Sequence, residues 1–157
     1  MKSKWLKYSL LLITITTVVS VFAFRSTAEN NNVAIANDEK GIQFIEQDWS
    51  KALQQAKAEN KLVFVDIYAT WCGPCKMLKK NTFTDAAVAE FFNKNFVNVS
   101  IDGEKTVGPQ LAQRFAIEGY PTLIVTDASG KPLLYSVGYI DANSLLQFAK
   151  EALKKKS

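Results

Sequence analysis

The sequence contains no histidine and only two cysteines, Cys72 and Cys75. A structural zinc site usually takes four cysteine or histidine ligands, so only a site shared between two chains would remain open to this protein. Haem attachment requires a histidine directly after C-x-x-C, and this chain has Lys76 there. We therefore expect no metal and no other cofactor. The remaining roles for the two cysteines are redox chemistry and a fixed structural disulfide.

The sequence also has no excess of positive charge outside its first 28 residues. The whole chain has 19 lysines and arginines against 15 aspartates and glutamates, a formal charge of +4. Residues 1–28 contain four of the basic residues and no acidic residue, which leaves 15 against 15 in the rest of the chain. Because nucleic-acid binding depends on clustered basic residues, we expect no nucleic-acid partner.

Residues 1–28 have the layout of a secretory signal peptide. A positively charged start is followed by an uncharged apolar run of 15 residues, Leu10 to Phe24, and then by small polar residues. A membrane-spanning helix takes about 20 apolar residues, so cleavage is favoured, and retention as an N-terminal anchor in the inner membrane is the alternative. Either outcome predicts an extracytoplasmic protein, periplasmic or secreted. Residues 29–40 are rich in asparagine and predict a linker to a domain at residues 41–157.

Strand and helix patterns alternate along this domain and predict the α/β class. Residues 61–69 form a nearly unbroken apolar run, which is typical of a central strand covered on both faces. A helix is predicted to begin with Thr84 as its N-cap. Pro121–Thr126 and Leu133–Val137 predict a hairpin, and Asp141 caps a final helix. We expect a mixed central sheet with helices on both faces, parallel in its first half and ending in an antiparallel hairpin plus helix.

The two cysteines are placed for thiol chemistry. Cys72 follows the predicted central strand and begins a helix, where unpaired backbone N–H groups favour the thiolate, which is the attacking species. Gly73 and Pro74 allow the tight turn that lets Cys75 close a disulfide. We expect Cys72 to be the exposed nucleophile and Cys75 the buried resolving thiol. A fixed disulfide is the weaker alternative, because a cross-link over so short a loop stabilises little.

The motif resembles the active site of a known family. Trp71-Cys72-Gly73-Pro74-Cys75-Lys76 is similar to the active-site sequence of thioredoxins, and the resemblance extends over about residues 42–155. It includes Val65–Ala69 before the motif and Gly119–Thr122 after it. The segment Asn81–Asp85 is similar to a branch that contains exported thioredoxin-like proteins and the C-terminal domain of the Dsb-system membrane thiol reductase. The resemblance implies a thioredoxin fold.

Further roles follow from this resemblance and from the pattern around the motif. Asp66 lies within the apolar strand, where burial raises a carboxyl pKa, and the matching aspartate of thioredoxins accepts a proton from the resolving cysteine, here Cys75. Asn98 occupies the position of a lysine that usually accompanies that aspartate, so we expect the pKa of Asp66 to lie higher still. Tyr120–Pro121 matches the cis-proline loop. Trp71 is expected to shield the disulfide.

The sequence therefore predicts an extracytoplasmic thiol–disulfide oxidoreductase, favouring a protein disulfide reductase because Gly73-Pro74 is the dipeptide of reducing thioredoxins. Trp71, Gly73, Pro74, Tyr120 and Pro121 are the candidate substrate-binding residues. We expect a monomer whose partners are disulfide-containing client proteins and a membrane thiol electron donor. The alternatives are an oxidase or isomerase of exported proteins, or a non-catalytic binding module that presents the Trp71–Tyr120 surface. The loop charges Glu104 and Lys105 are assigned no function.

Overall fold

The computed structural model describes residues 40–156. The predicted leader at residues 1–28, and all of the predicted linker except its last residue, lie outside the described residues. Between residues 40 and 156 no helix is long and apolar enough to cross a membrane.

Strands and helices alternate in the predicted order, and one helix ends in a π-helical turn. In chain order the elements are β1 (Ile45–Glu46), α1 (Trp49–Glu59), β2 (Leu62–Tyr68), α2 (Gly73–Met77), the π-helical turn (Leu78–Thr82), α3 (Ala86–Asn95), β3 (Phe96–Asp102), α4 (Gly108–Arg114), β4 (Thr122–Thr126), β5 (Pro132–Val137) and α5 (Ala142–Lys154).

The strands form one five-stranded sheet in the order β1-β3-β2-β4-β5. β3 pairs in parallel with β1 and with β2, whereas β4 pairs antiparallel with β2 and β5. The predicted mixed sheet, with its parallel first half and its C-terminal hairpin, is therefore confirmed. β2 lies at the centre, and its register places Asp66 opposite Ser100 of β3 and Leu123 of β4.

The core occupies both faces of the sheet, which explains the unbroken apolar run of β2. On one face Phe64 packs in a cluster with Leu78 of the π-helical turn and with residues of α3 and α5. On the other face Val63, Val65 and Ile67 pack with α1 and α4. Successive side chains of a strand point to opposite faces. Asp66 therefore shares its face with Phe64, beneath the helix that begins at the cysteines.

Aspartate side chains cap three of the helices. Asp48 and Asp141 accept hydrogen bonds from backbone N–H groups at the starts of α1 and α5, as predicted for Asp141. The prediction of Thr84 as an N-cap is wrong. Asp85 Oδ1 accepts the Val88 N–H of α3 at 3.0 Å, and Thr84 Oγ1 donates to the carbonyl of Lys80. The reason is the π-helical turn, because it extends the preceding helix to Thr82 and leaves Thr84 to terminate it.

Candidate active site

Cys72 and Cys75 lie where the chain passes from β2 into α2. Their Sγ atoms form a disulfide with the Cα atoms 5.3 Å apart. Cys72 is the N-cap of α2, and its Sγ accepts a hydrogen bond from the Cys75 backbone N–H at 3.1 Å. Pro74 stands in the first turn, where a missing N–H costs nothing. The local sequence thus builds a helix start in which the N–H of the third helical residue, Cys75, is directed at the first sulfur.

The prediction that Cys72 is exposed is wrong for the oxidised protein. Both cysteines are 3% exposed, because they form a buried cluster with Ala69 against which Tyr68 and Tyr120 pack. Gly73 and Pro74 are exposed, and a Cβ added at Gly73 would meet no atom within 4 Å. The turn between the cysteines therefore presents an open surface next to a buried disulfide.

Trp71 forms an exposed corner of the site together with Glu104. The Trp71 side chain is 68% exposed, and its Nε1–H donates to both carboxylate oxygens of Glu104 at 3.1 Å. Its ring meets that of Tyr120 edge-on, with centroids 6.1 Å apart. A Cβ at Gly103 would come within 2.5 Å of the Tyr120 hydroxyl, so only glycine leaves room for this ring. Shielding of the disulfide by Trp71 stays a prediction.

The Tyr120–Pro121 peptide bond is cis, as predicted from the resemblance. Pro121 is buried directly before β4, and its carbonyl accepts the Gly138 N–H at 2.8 Å. Tyr120 is half-buried; it packs against the cluster of Ala69 and the two cysteines, and its ring meets that of Trp71. The structure therefore brings two of the candidate substrate-binding residues, Trp71 and Tyr120, together beside the cysteine cluster, and Pro121 follows Tyr120 in the chain.

Asp66 is buried beneath this site, with 1% of its surface exposed. Its Oδ2 accepts a hydrogen bond from the Ser100 hydroxyl at 3.0 Å, and its Oδ1 has no hydrogen-bond partner among residues 40–156. Burial raises the pKa of Asp66 to about 6, against smaller lowering effects of Lys79 and of the Ser100 hydrogen bond. The carboxyl can therefore hold or release a proton near neutral pH, which is the property predicted for it.

The surroundings of Asp66 differ from the prediction in one respect. The Asn98 amide donates to the carbonyl of Gln43 and to Asn93 Oδ1, so it turns away to hold the neighbouring loop. A cation does lower the pKa of Asp66, against the larger effect of burial, but this cation is the ammonium group of Lys79 in the π-helical turn. The expectation of a buried acid without a cation is therefore wrong, because a different element supplies the lysine.

Three residues of this site were not predicted from the sequence: Ser100, Lys79 and Glu104. Ser100 could have been found by counting along parallel β2 and β3, since the paired strands place it opposite Asp66. Lys79 and Glu104 carry no such signal, because their contacts depend on a π-helical turn and on a loop. No group of three or more aspartates, glutamates or cysteines that could hold a metal occurs in the described part of the chain.

Comparisons with known proteins agree with the fold and the cysteine pair. The family model of a thioredoxin-like domain matches residues 49–153. A solved structure of a putative disulphide-isomerase from Bacteroides thetaiotaomicron is 42% identical with a TM-score of 0.66, and the match covers 75% of this chain and 98% of that chain.

Two further comparisons concern the thiol:disulfide interchange protein DsbD. The protein from Actinobacillus pleuropneumoniae is 34% identical over 97 residues, which make up 60% of this chain and only 17% of DsbD. The C-terminal domain of DsbD from Neisseria meningitidis, in its oxidised form, shares the fold, with a TM-score of 0.56 at 21% identity over 65% of this chain and 90% of that domain. Because the matched residues 49–153 contain both cysteines, the disulfide of this site is the redox-active disulfide of the family, and the chain belongs to the thioredoxin-like family of thiol–disulfide oxidoreductases.

Proposed function

We propose that this protein is a protein disulfide reductase that acts outside the cytoplasm. The observation that supports the reductase direction is the absence, in the described residues, of a charged side chain hydrogen-bonded to either sulfur of the disulfide. Among residues 40–156, the Sγ of Cys72 accepts one hydrogen bond, from the Cys75 backbone, and no charged side chain donates to either sulfur. A strong oxidant needs its reduced, thiolate-bearing form stabilised. A site with little such stabilisation gives its electrons away more readily.

The reaction is a two-step exchange. The Cys72 thiolate attacks one sulfur of a client disulfide, forming a mixed disulfide and releasing the first client thiolate. Cys75 then loses its proton to Asp66 and attacks Cys72 Sγ, which releases the second client thiolate. The client gains two electrons and the enzyme is left with the Cys72–Cys75 disulfide. Asp66 suits the acceptor role because it lies on the sheet face that this helix covers and because its pKa is raised to about 6.

Client binding is proposed at the exposed surface around the turn between the cysteines. Gly73 and Pro74 offer an open approach, and Trp71 offers a flat apolar contact held by Glu104. Tyr120 and Pro121 would lie along an extended client segment, since proline at a strand start gives no donor to its own sheet. Such a surface fits an unfolded or extended chain that carries a cystine.

The compartment, the electron source and the oligomeric state are parts of the same proposal. The predicted leader at residues 1–28 supports an extracytoplasmic location. A reductase in an oxidising compartment must be reduced again, and a membrane thiol carrier is the proposed donor. We propose a monomer.

An alkaline phosphatase fusion after residue 40 tests the extracytoplasmic location, because alkaline phosphatase is active only where disulfides form. An inactive fusion would contradict that location.

An isomerase is the second candidate, because the Bacteroides thetaiotaomicron protein at 42% identity is described as a putative disulphide-isomerase. An assay on one protein substrate separates the candidates. A reductase lowers the number of disulfides in a native disulfide protein, an isomerase converts scrambled ribonuclease to the native pairing, and an oxidase adds disulfides to the reduced chain. We expect the first activity to dominate, and Cys72→Ser to abolish it. A dominant second or third activity would overturn the reductase proposal, and no activity in any of them would support a binding module.

A further inference from the structure

The residue after the first strand has an uncommon backbone conformation. Gln47 follows β1, and its φ of 59° lies in the left-handed region, which residues other than glycine seldom adopt. Its backbone N–H donates to the Ser100 carbonyl of β3 at 2.9 Å. A strained backbone of this kind persists where surrounding contacts hold it, and it occurs often at functional sites. The contacts of Gln47 with the neighbouring strands therefore hold this conformation.

The side-chain amide of Gln47 joins the ends of the two strands beside β1. Its Nε2–H donates to the Tyr68 hydroxyl at 3.2 Å, and its Oε1 accepts the Asp102 backbone N–H at 3.0 Å. Tyr68 and Asp102 are the last residues of β2 and β3 and face each other in the register. One amide therefore links the ends of β1, β3 and β2, and the segments that carry the redox site leave from the last two.

The contact with the hydroxyl group fixes Tyr68 beside the disulfide. Tyr68 packs against the buried cluster of Ala69 and the two cysteines. The Lys79 ammonium group lies 3.5 Å from the centroid of its ring, and its hydroxyl is held by Gln47. Tyr68 is only half-buried, so these contacts, and not burial alone, keep the ring in place.

The contact with the Asp102 N–H acts on the loop that holds Trp71. Asp102 Oδ1 accepts the Glu104 backbone N–H at 3.1 Å, and Asp102 Oδ2 pairs with Lys105 at 3.0 Å. The Glu104 carboxylate in turn accepts from the Trp71 indole. A shift of Asp102 would therefore reach Trp71 through Glu104.

We propose that Gln47 is a positioning residue for the redox site: its amide holds the Tyr68 ring against the cysteine cluster and holds the loop at residues 102–105 that fixes Trp71, and it thereby limits access to the disulfide. Access of the attacking thiol is one of the factors that set the rate of thiol–disulfide exchange. The proposal needs the redox-active cysteine pair but not a direction of electron transfer. Its consequence for client binding at Trp71 rests on the proposed function.

The test measures how fast dithiothreitol reduces the Cys72–Cys75 disulfide of the full-length oxidised protein, with the thiols read by alkylation. Gln47→Met keeps the length of the side chain and removes both hydrogen bonds. We expect it to accelerate reduction by about two- to tenfold, which corresponds to the loss of one hydrogen bond of ordinary strength. Gln54→Met makes the same change at an exposed glutamine of α1. This matched control should be reduced at the wild-type rate.

A double-mutant cycle distinguishes this role from a general loss of stability. Tyr68→Phe keeps the ring and removes the hydroxyl that Gln47 holds, so it should accelerate reduction as well. Because Gln47 acts through Tyr68, Gln47→Met should add little in the Tyr68→Phe background, whereas the effects of independent sites multiply.

The NMR signal of the Trp71 indole N–H, assigned with Trp71→Phe, is the second readout. Loss of the Asp102 contact should loosen Glu104, so in Gln47→Met the signal should move towards its position in Glu104→Ala. In Gln54→Met it should stay at the wild-type position.

An unchanged reduction rate in Gln47→Met would overturn the proposal, and so would an equal acceleration in Gln54→Met, full multiplication of the two effects in the double variant, or an unmoved Trp71 signal. Should Gln47→Met fold poorly, Gln47→Asn takes its place, because asparagine tolerates the left-handed backbone and its shorter side chain cannot reach both partners. Its reduction rate is read by the same criteria. Reduction by dithiothreitol needs no client, so a negative result leaves the reductase proposal standing, and a failure of that proposal leaves this test interpretable.

Discussion

The Ser100 hydroxyl donates a hydrogen bond to Asp66 Oδ2 at 3.0 Å, while the other oxygen of the same buried carboxyl has no partner in the described residues. Burying an ionised carboxylate costs free energy unless it is paired and hydrogen-bonded. A half-satisfied carboxyl in a strand that is otherwise apolar is therefore retained at a cost to stability. A role in proton transfer gives a reason for that cost.

Asp66→Asn is expected to leave the first attack by Cys72 nearly unchanged and to slow resolution of the mixed disulfide. The expected loss in the resolution rate at pH 7 is about tenfold or more. General acid–base groups contribute about 10²–10⁴-fold, and the loss should lie at the lower end of that range or below it because water can replace the acceptor. Stopped-flow reduction of a small disulfide substrate across pH 5–9 measures both steps. Asp85→Asn is the control, since it removes an accessible carboxylate and asparagine caps a helix as well as aspartate does. Equal resolution rates in wild type and Asp66→Asn at every pH would mean that Asp66 has only a structural role.

The same substitution should change how stability depends on pH. The unfolded chain releases the Asp66 proton near the ordinary aspartate pKa of 3.8, whereas the folded protein holds it to about pH 6. Between these values the folded state binds more protons, so stability falls as the pH rises through this window. Asp66→Asn should therefore be more stable than wild type at pH 8 by about 1–3 kcal/mol, and by much less at pH 4. Urea unfolding at both pH values measures this, and a difference that is the same at both would argue against a raised pKa.

The fold and the cysteine pair could be predicted from the sequence, whereas Lys79 and Glu104, two of the groups around the site, could not. The run from Leu62 to Ile67 predicts a strand buried on both faces, and a polar residue inside it must then be buried too. Lys79 could not be assigned, because ordinary helical periodicity does not anticipate a π-helical turn. Alignment of Asn98 with a family position likewise says nothing of the loop at Gln43, whose carbonyl accepts a hydrogen bond from the Asn98 amide.

Glu104 is a similar case, since nothing in its loop sequence distinguishes it from Lys105. The structure separates the two, because Glu104 accepts from Trp71 and Lys105 pairs with Asp102 at 3.0 Å. Contacts that join a loop to a side chain 33 residues away leave no periodic trace in the sequence.

Glu104→Ala is expected to weaken client binding without changing the redox chemistry. Losing the carboxylate frees the Trp71 ring, and a lost hydrogen bond predicts a rise in KM for a protein client of about two- to tenfold. The kcat and the redox potential should stay close to wild type. Glu90→Ala, which removes an exposed glutamate on α3, is the matched control. An unchanged KM, or a shifted potential, would show that the Trp71–Glu104 contact does not orient the client surface.

Cys75→Ser is expected to trap mixed disulfides with clients, because Cys72 can still attack and nothing resolves the product. Cys72→Ser should trap none. Non-reducing gels and mass spectrometry of the trapped species read the outcome directly. Trapping by Cys72→Ser instead of Cys75→Ser would reverse the assignment of nucleophile and resolving thiol.

The equilibrium redox potential of the Cys72–Cys75 pair is the most direct test of the reductase proposal. The protein is equilibrated in dithiothreitol and glutathione buffers of defined ratio, and the reduced fraction is read by thiol alkylation. With one backbone hydrogen bond to Cys72 Sγ and no charged donor to either sulfur among the described residues, the potential should lie nearer about −270 mV, the value of thioredoxin, than about −120 mV, the value of DsbA. A potential above about −180 mV, the value of protein disulfide isomerase, would contradict the reductase proposal and favour an isomerase or oxidase.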